Sequence, residues 1–183
     1  MSRIITRSLI AVAMLFILHG QAWAEEERAE KVMVGQLLDY CLPSLVSGQP
    51  VHELVKLSPN GKRLLRLKER SSEAFLNGQA GDAWLVGGGP EVVLAALQDV
   101  AVCQVFAREV EPEALMQQLD SWFDSQESPL KRAEPDQSEP MILNREYCGP
   151  FGSVSVVIQA SAIKESGHDV QGLITSGRVA NCE

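Results

Sequence analysis

The chain has 183 residues, 45% of them hydrophobic and 22% charged, with a formal net charge of −8. That length fits one domain with a core of its own. The acidity weighs against general affinity for nucleic acid or an anionic lipid surface.

The N-terminus reads MSRIITRSLIAVAMLFILHGQAWAEEE. Arg3 and Arg7 precede an unbroken apolar run from Leu9 to Leu18, followed by Ala22-Trp23-Ala24 and then acids. Basic start, short apolar stretch and small-x-small site, in that order, predict a secretory signal peptide over residues 1–24. An apolar run of this length makes about 15 Å of helix, too short for a permanent anchor. Cleavage after Ala24 removes two Arg and no acid, which takes the net charge from −8 to −10. The expectation is a single α+β domain over 25–183, periplasmic or secreted, with no stable membrane anchor.

In KVMVGQLLDYCLPSLVSG, residues Val34, Leu37, Leu38, Cys41, Leu42 and Leu45 recur at helical spacing, so Cys41 lies on an apolar stripe. Pro43 predicts a kink or an end near Cys41, and Gly48 a further stop. VHELVKL reads as a short helix and SPNG as a turn. KRLLRLKERSSEAFL fits either a helix or a strand followed by a helix. DAWLV is a short strand around Trp84, and GGGP a turn. EVVLAALQD and AVCQVFAREV form a strand pair turning near Asp99, with Cys103 and Val105 on one side and Val102 and Phe106 on the other. PEALMQQLDSWFDSQ opens with Pro112, suited to a first helical turn, and sets Leu115, Leu119 and Trp122 on one face. A polar, Pro-bearing linker follows near 125–140. MILNREYC resumes a strand. SVSVVIQASAI alternates with period two, and VQGLITSGRVA is rich in strand-forming residues. The order of elements predicts an α+β fold with helices on one face of an antiparallel sheet.

The four cysteines are Cys41, Cys103, Cys148 and Cys182, separated by 62, 45 and 34 positions. An even count in an exported chain predicts two disulfides, and the wide gaps argue against zinc and against a Cys-x-x-Cys redox site. The midpoint between Cys148 and Cys182 falls at Glu165, inside KESGHD. A symmetric hairpin folded there would set the two cysteines opposite each other. That leaves Cys41 with Cys103.

The stretches CLPSL, GDAWLV, EVVLAAL and VCQVFA together resemble uncharacterised small exported proteins of proteobacteria. The resemblance spans Cys41 to Phe123 and implies a cysteine after the first helix and another in a central strand. It implies no activity.

No segment has the order of a P-loop, a GxSxG elbow or HExxH, so neither a cofactor nor a metal is expected. His168 and Asp169 sit in the KESGHD loop as turn residues or an exposed recognition tip. Asp120 and Asp124 read as a solvated helix face, and Glu25 to Glu30 as a mobile tail. The most informative surface feature is basic: Lys62, Arg63, Arg66, Lys68 and Arg70 fall within nine residues that contain one acid, Glu69. Such a local reversal fits either pairing with nearby acids or an acidic envelope partner or ligand. The reading is an exported, non-enzymatic binding or accessory module of the cell envelope. The alternatives are a small envelope hydrolase with a site assembled from distant residues, and a protein inhibitor presenting a stapled hairpin.

Overall fold

A computed structural model describes residues 28–98, 101–125, 130–133 and 140–182. The expected signal segment 1–24, Glu25 to Glu27, the expected turn at Asp99 and most of the expected linker lie outside them.

The first helical rod has three consecutive parts: α1 (Ala29–Gln36), a π-helical turn (Leu37–Cys41) and α2 (Leu42–Ser47). Pro43 cannot donate to the helical ladder. The break expected near Cys41 is met by the wider π turn just before it, and the rod continues to Gly48, whose φ of 73° ends it. Next come α3 (Val51–Leu57), a 3-10 turn (Pro59–Arg63), β1 (Leu64–Arg66) and α4 (Glu69–Leu76). The strand-then-helix reading of KRLLRLKERSSEAFL is the one adopted. The remaining elements are β2 (Gly81–Val86), β3 (Val92–Leu97), β4 (Val102–Ala107), α5 (Pro112–Ser125), β5 (Lys131–Ala133), β6 (Ile142–Phe151), β7 (Val154–Ile163) and β8 (Gly172–Val179).

All eight strands form one antiparallel sheet in the order β1-β2-β3-β4-β8-β7-β6-β5. It consists of two four-stranded meanders joined where β4 pairs with β8. The fold is α+β. Period two decides which side chains meet the helices. Val92 and Leu94, Cys103 and Val105, Ile158 and Ala160, and Ile174 join the main core beneath the first rod and α5. The intervening Val93 and Ala95 face the other way, where α4 covers a smaller cluster with Leu76 and Ala83. Phe75 of α4 meets Phe106 edge-on there, with ring centroids 5.2 Å apart. The principal helices therefore share one face, and a single short helix covers part of the opposite one.

Both disulfides are present, Cys41–Cys103 and Cys148–Cys182. The first pins the π turn to β4. The second has the expected partners but not the expected geometry. The hairpin of β7 and β8 turns about Gly167 rather than Glu165, since Ser155 pairs with Val179 and Ala162 with Gly172. Cys148 is not on that hairpin. It lies one strand over, on β6 opposite Val157. A two-residue turn, Gly152-Ser153, separates β6 from β7, and Gly152 takes the positive φ of 63° that this turn needs. The bond thus ties the chain beyond β8 back across β7 to β6. GPFG ends β6 and reverses the chain into β7, which is why the midpoint between the two cysteines does not mark the turn.

Two further readings change. Within the expected linker, Leu130 is buried in the core and Lys131–Ala133 forms edge strand β5. Glu30, expected in a mobile tail, is buried on α1, where its Oε1 accepts the Glu111 backbone N–H at 2.5 Å. That bond satisfies a donor at the start of α5 and docks the two helices.

Candidate binding cleft

A cleft of about 850 Å³ lies between the α2–α3 connection and the ends of strands β1, β2, β3, β4 and β8. Its walls come from distant parts of the chain because the sheet order sets β2, β3, β4 and the end of β8 side by side. Trp84, Ala96, Val102 and Cys103 contribute to an apolar lining, with Val51 and Val55 from α3. Trp84 and Cys103 are themselves buried, so they belong to the core as well as to the cleft.

Polar groups converge around this lining. Arg66, on edge strand β1, forms an ion pair with Oδ1 of Asp82 on β2. Antiparallel pairing sets Arg66 opposite Trp84, so Asp82, two residues before Trp84, lies diagonally across on the same face. His52, at the start of α3, holds Nε2 at 3.0 Å from Glu53 Oε1 and Nδ1 at 3.9 Å from Asp82 Oδ2. Lys56, one turn on, also meets Glu53, at 2.8 Å. The Lys56 ammonium, by hydrogen bond and by charge, holds the Glu53 carboxyl below its ordinary value. Arg178, from β8, donates through Nε and Nη2 to the Leu45 carbonyl and so closes the last turn of α2. Its guanidinium borders the cleft.

No protein-family model matches the chain, and no curated protein or solved structure matches it. The residues themselves therefore carry the functional argument.

The five bases singled out from the sequence do not all converge. Arg66 alone lines the cleft. Lys62 and Arg63 sit on the 3-10 turn, Lys68 caps α4 and Arg70 lies in its first turn, all with exposed side chains. Arg63 Nε reaches the Gly87 carbonyl at 3.3 Å. Among the described residues no ion pair engages Lys62, Lys68 or Arg70. His168 and Asp169 are exposed in the loop between β7 and β8, and neither lines the cleft. Nothing local in the sequence signals that His52, Asp82 and Arg178 would meet. Asp82 stands in GDAWLV, which carries only a strand pattern, and Arg178 is 112 positions from Arg66.

A second polar cluster lies across the core. Asp120 of α5 accepts a 2.5 Å hydrogen bond from the Tyr147 hydroxyl on β6, and its Oδ2 lies 3.5 Å from both Arg132 and Arg145. The expected solvated face of α5 is therefore interrupted at Asp120, one of whose oxygens serves a buried tyrosine. Burial, then the Asp120 hydrogen bond and charge, push the Tyr147 phenol far above its ordinary value. This cluster joins β5, β6 and α5, and the cleft lies elsewhere.

Proposed function

We propose that the chain is an exported, non-enzymatic binding or accessory module of a bacterial cell envelope, kin to the small exported proteins its sequence resembles. It is delivered by the N-terminal signal and engages an acidic partner through the basic face formed by the Pro59–Arg63 turn, β1 and α4. The carrying observation is that Lys62, Lys68 and Arg70 are exposed with no ion pair among the described residues, in a chain of net charge −8. Exposed cations that no ion pair engages, on an acidic body, steer oppositely charged surfaces and disfavour like-charged ones. The two disulfides suit an oxidising compartment. Among the described residues no helix is long and apolar enough to cross a membrane.

The test is capture of envelope components by the processed chain, compared with a variant carrying Lys62→Glu, Lys68→Glu and Arg70→Glu. A component retained by the native face, lost on reversal and released by moderate salt supports the reading. Equal capture by both forms sinks it.

One observation favours the hydrolase reading: His52 stands between two carboxylates at the cleft. Against it, the polar neighbours of His52 are both acids, and Ser44, the hydroxyl lining the cleft, donates to the Gln49 carbonyl at 2.7 Å. A nucleophile paired with its base is the missing part. Turnover of an ester or amide panel that disappears in His52→Gln would establish this alternative.

A further inference from the structure

We propose that the cleft is a ligand site for a small amphipathic anion, with a carboxylate-class headgroup at Arg66 and an apolar body along α3 and the Trp84 side of the lining. This site is separate from the partner-binding face, although Arg66 borders both.

Three features carry the inference. The first is size: about 850 Å³ matches the clefts that enclose small ligands, and the opening is lined by both apolar and polar side chains. The second is charge. Lys56, Arg66 and Arg178 line the cleft, with Asp82 as the one carboxylate among the lining residues. Glu53 offsets Lys56 and Asp82 offsets Arg66, so Arg178 supplies the remaining positive charge of a cleft in a chain with an excess of eight acids.

The third is the arrangement of the cations. Arg178 is held by its two bonds to the Leu45 carbonyl, a neutral partner that leaves its charge uncompensated. Arg66 is paired with Asp82, but its side chain is 71% exposed. A half-solvated pair of this kind is weak, and an incoming carboxylate that engages the guanidinium fork competes for it effectively. His52, 3.9 Å from Asp82 on the facing element, flanks the same headgroup position. Val51 and Val55, on the α3 side, supply the surface for an apolar tail.

Isothermal titration calorimetry on the processed, oxidised chain tests this with three probes of one tail length: octanoate, 1-octanol and octyltrimethylammonium. The expected result is saturable octanoate binding, with octanol weaker by about tenfold and the cation weaker still. Arg66→Gln is expected to bring octanoate down towards octanol while leaving octanol unchanged. His52→Gln provides a second reading should Arg66→Gln fold poorly, and near-UV circular dichroism monitors folding of each. Lys164→Gln, exposed and outside the cleft, is expected to alter neither probe. Absence of saturable octanoate binding, equal affinity for octanol, or octanoate affinity untouched in folded Arg66→Gln and His52→Gln chains overturns the proposal. No envelope partner enters this experiment, so its failure and the failure of the partner-binding reading are told apart.

Discussion

Tyr147 on β6 donates a 2.5 Å hydrogen bond to Oδ1 of Asp120 on α5, linking the second meander to the longest helix among the described residues. The Tyr147 ring is 2% exposed and packs against Phe123, with centroids 4.4 Å apart. Asp120 is held from its other oxygen by Arg132 and Arg145. The carboxylate thus answers a buried hydroxyl on one side and two guanidinium groups on the other, which is how a partly buried charge is kept.

Tyr147→Phe removes a charge-assisted bond without opening a cavity. The expected loss is about 1.5–2 kcal/mol, near the lower end for bonds to charged groups because both arginines still serve Asp120. The pH dependence has a defined sign. The folded phenol is held above its ordinary value of 10.0. Its contribution is therefore fully present below about pH 10 and is lost as pH rises beyond it, because the unfolded chain releases the proton first. Denaturant titrations from pH 8 to 11.5 are expected to show a decline that is shallower in Tyr147→Phe. Parallel curves for the two chains would contradict this account.

The two disulfides differ in access. Cys41 and Cys103 are buried, whereas Cys182 is exposed and Cys148 half-buried. Thiol exchange needs an approaching thiolate. Mild reductant is expected to open Cys148–Cys182 first, with Cys41–Cys103 yielding only on unfolding; alkylation and mass spectrometry of the native protein resolve the order. Loops of 62 and 34 residues correspond to about 4 kcal/mol each in the chain-entropy model. Equilibrium stability is therefore expected to fall by similar amounts in the two Cys→Ser pairs, even though the rates of reduction differ.

Much of the architecture was legible because it rests on local periodicity. The stripe through Cys41, the alternation in β7 and the face of α5 each announce one buried side. What escaped depends on turns and on long-range pairing. Gly152-Ser153 ends one strand and starts the next within two residues, so no polar break marks the boundary between β6 and β7. Asp120 looked solvated because its partners, Arg132, Arg145 and Tyr147, come from strands later in the chain. The cleft escaped for the same reason: Arg66, Asp82, His52 and Arg178 meet only through sheet order, and nothing local in the sequence encodes their proximity.

Two glycines of opposite consequence test the local packing. A Cβ at Gly61 would lie 1.8 Å from the Val55 carbonyl oxygen, whereas one at Gly35 meets nothing within 4 Å. Gly61→Ala must push the Pro59–Arg63 turn away from α3, at an expected cost of at least about 2 kcal/mol. It also displaces Lys62 and Arg63, so partner capture should weaken. Gly35→Ala, inside α1, is expected to stabilise by about 0.5–1 kcal/mol through helix propensity. Thermal melts of both variants decide it, and a destabilised Gly35→Ala would show that the α1 surface at this point packs against something further.

Asp82 is the group that restrains Arg66, and Asp82→Asn separates the structural from the binding role of that pair. The Arg66 side chain is 71% exposed and that of Asp82 21%, so loss of the pair is expected to change stability by no more than about 1 kcal/mol. Removing the carboxylate leaves Arg66 without its counterion and takes a negative charge away from the position an anionic headgroup would occupy. Octanoate affinity is therefore expected to rise several-fold in Asp82→Asn, most clearly at low ionic strength, where screening is weakest. Octanol affinity should stay level, because the apolar wall is untouched. If octanoate binding fell while the fold stayed intact, Asp82 would be a hydrogen-bonding or orienting partner of the ligand rather than a competitor of it, and the cleft would select a headgroup able to donate as well as accept.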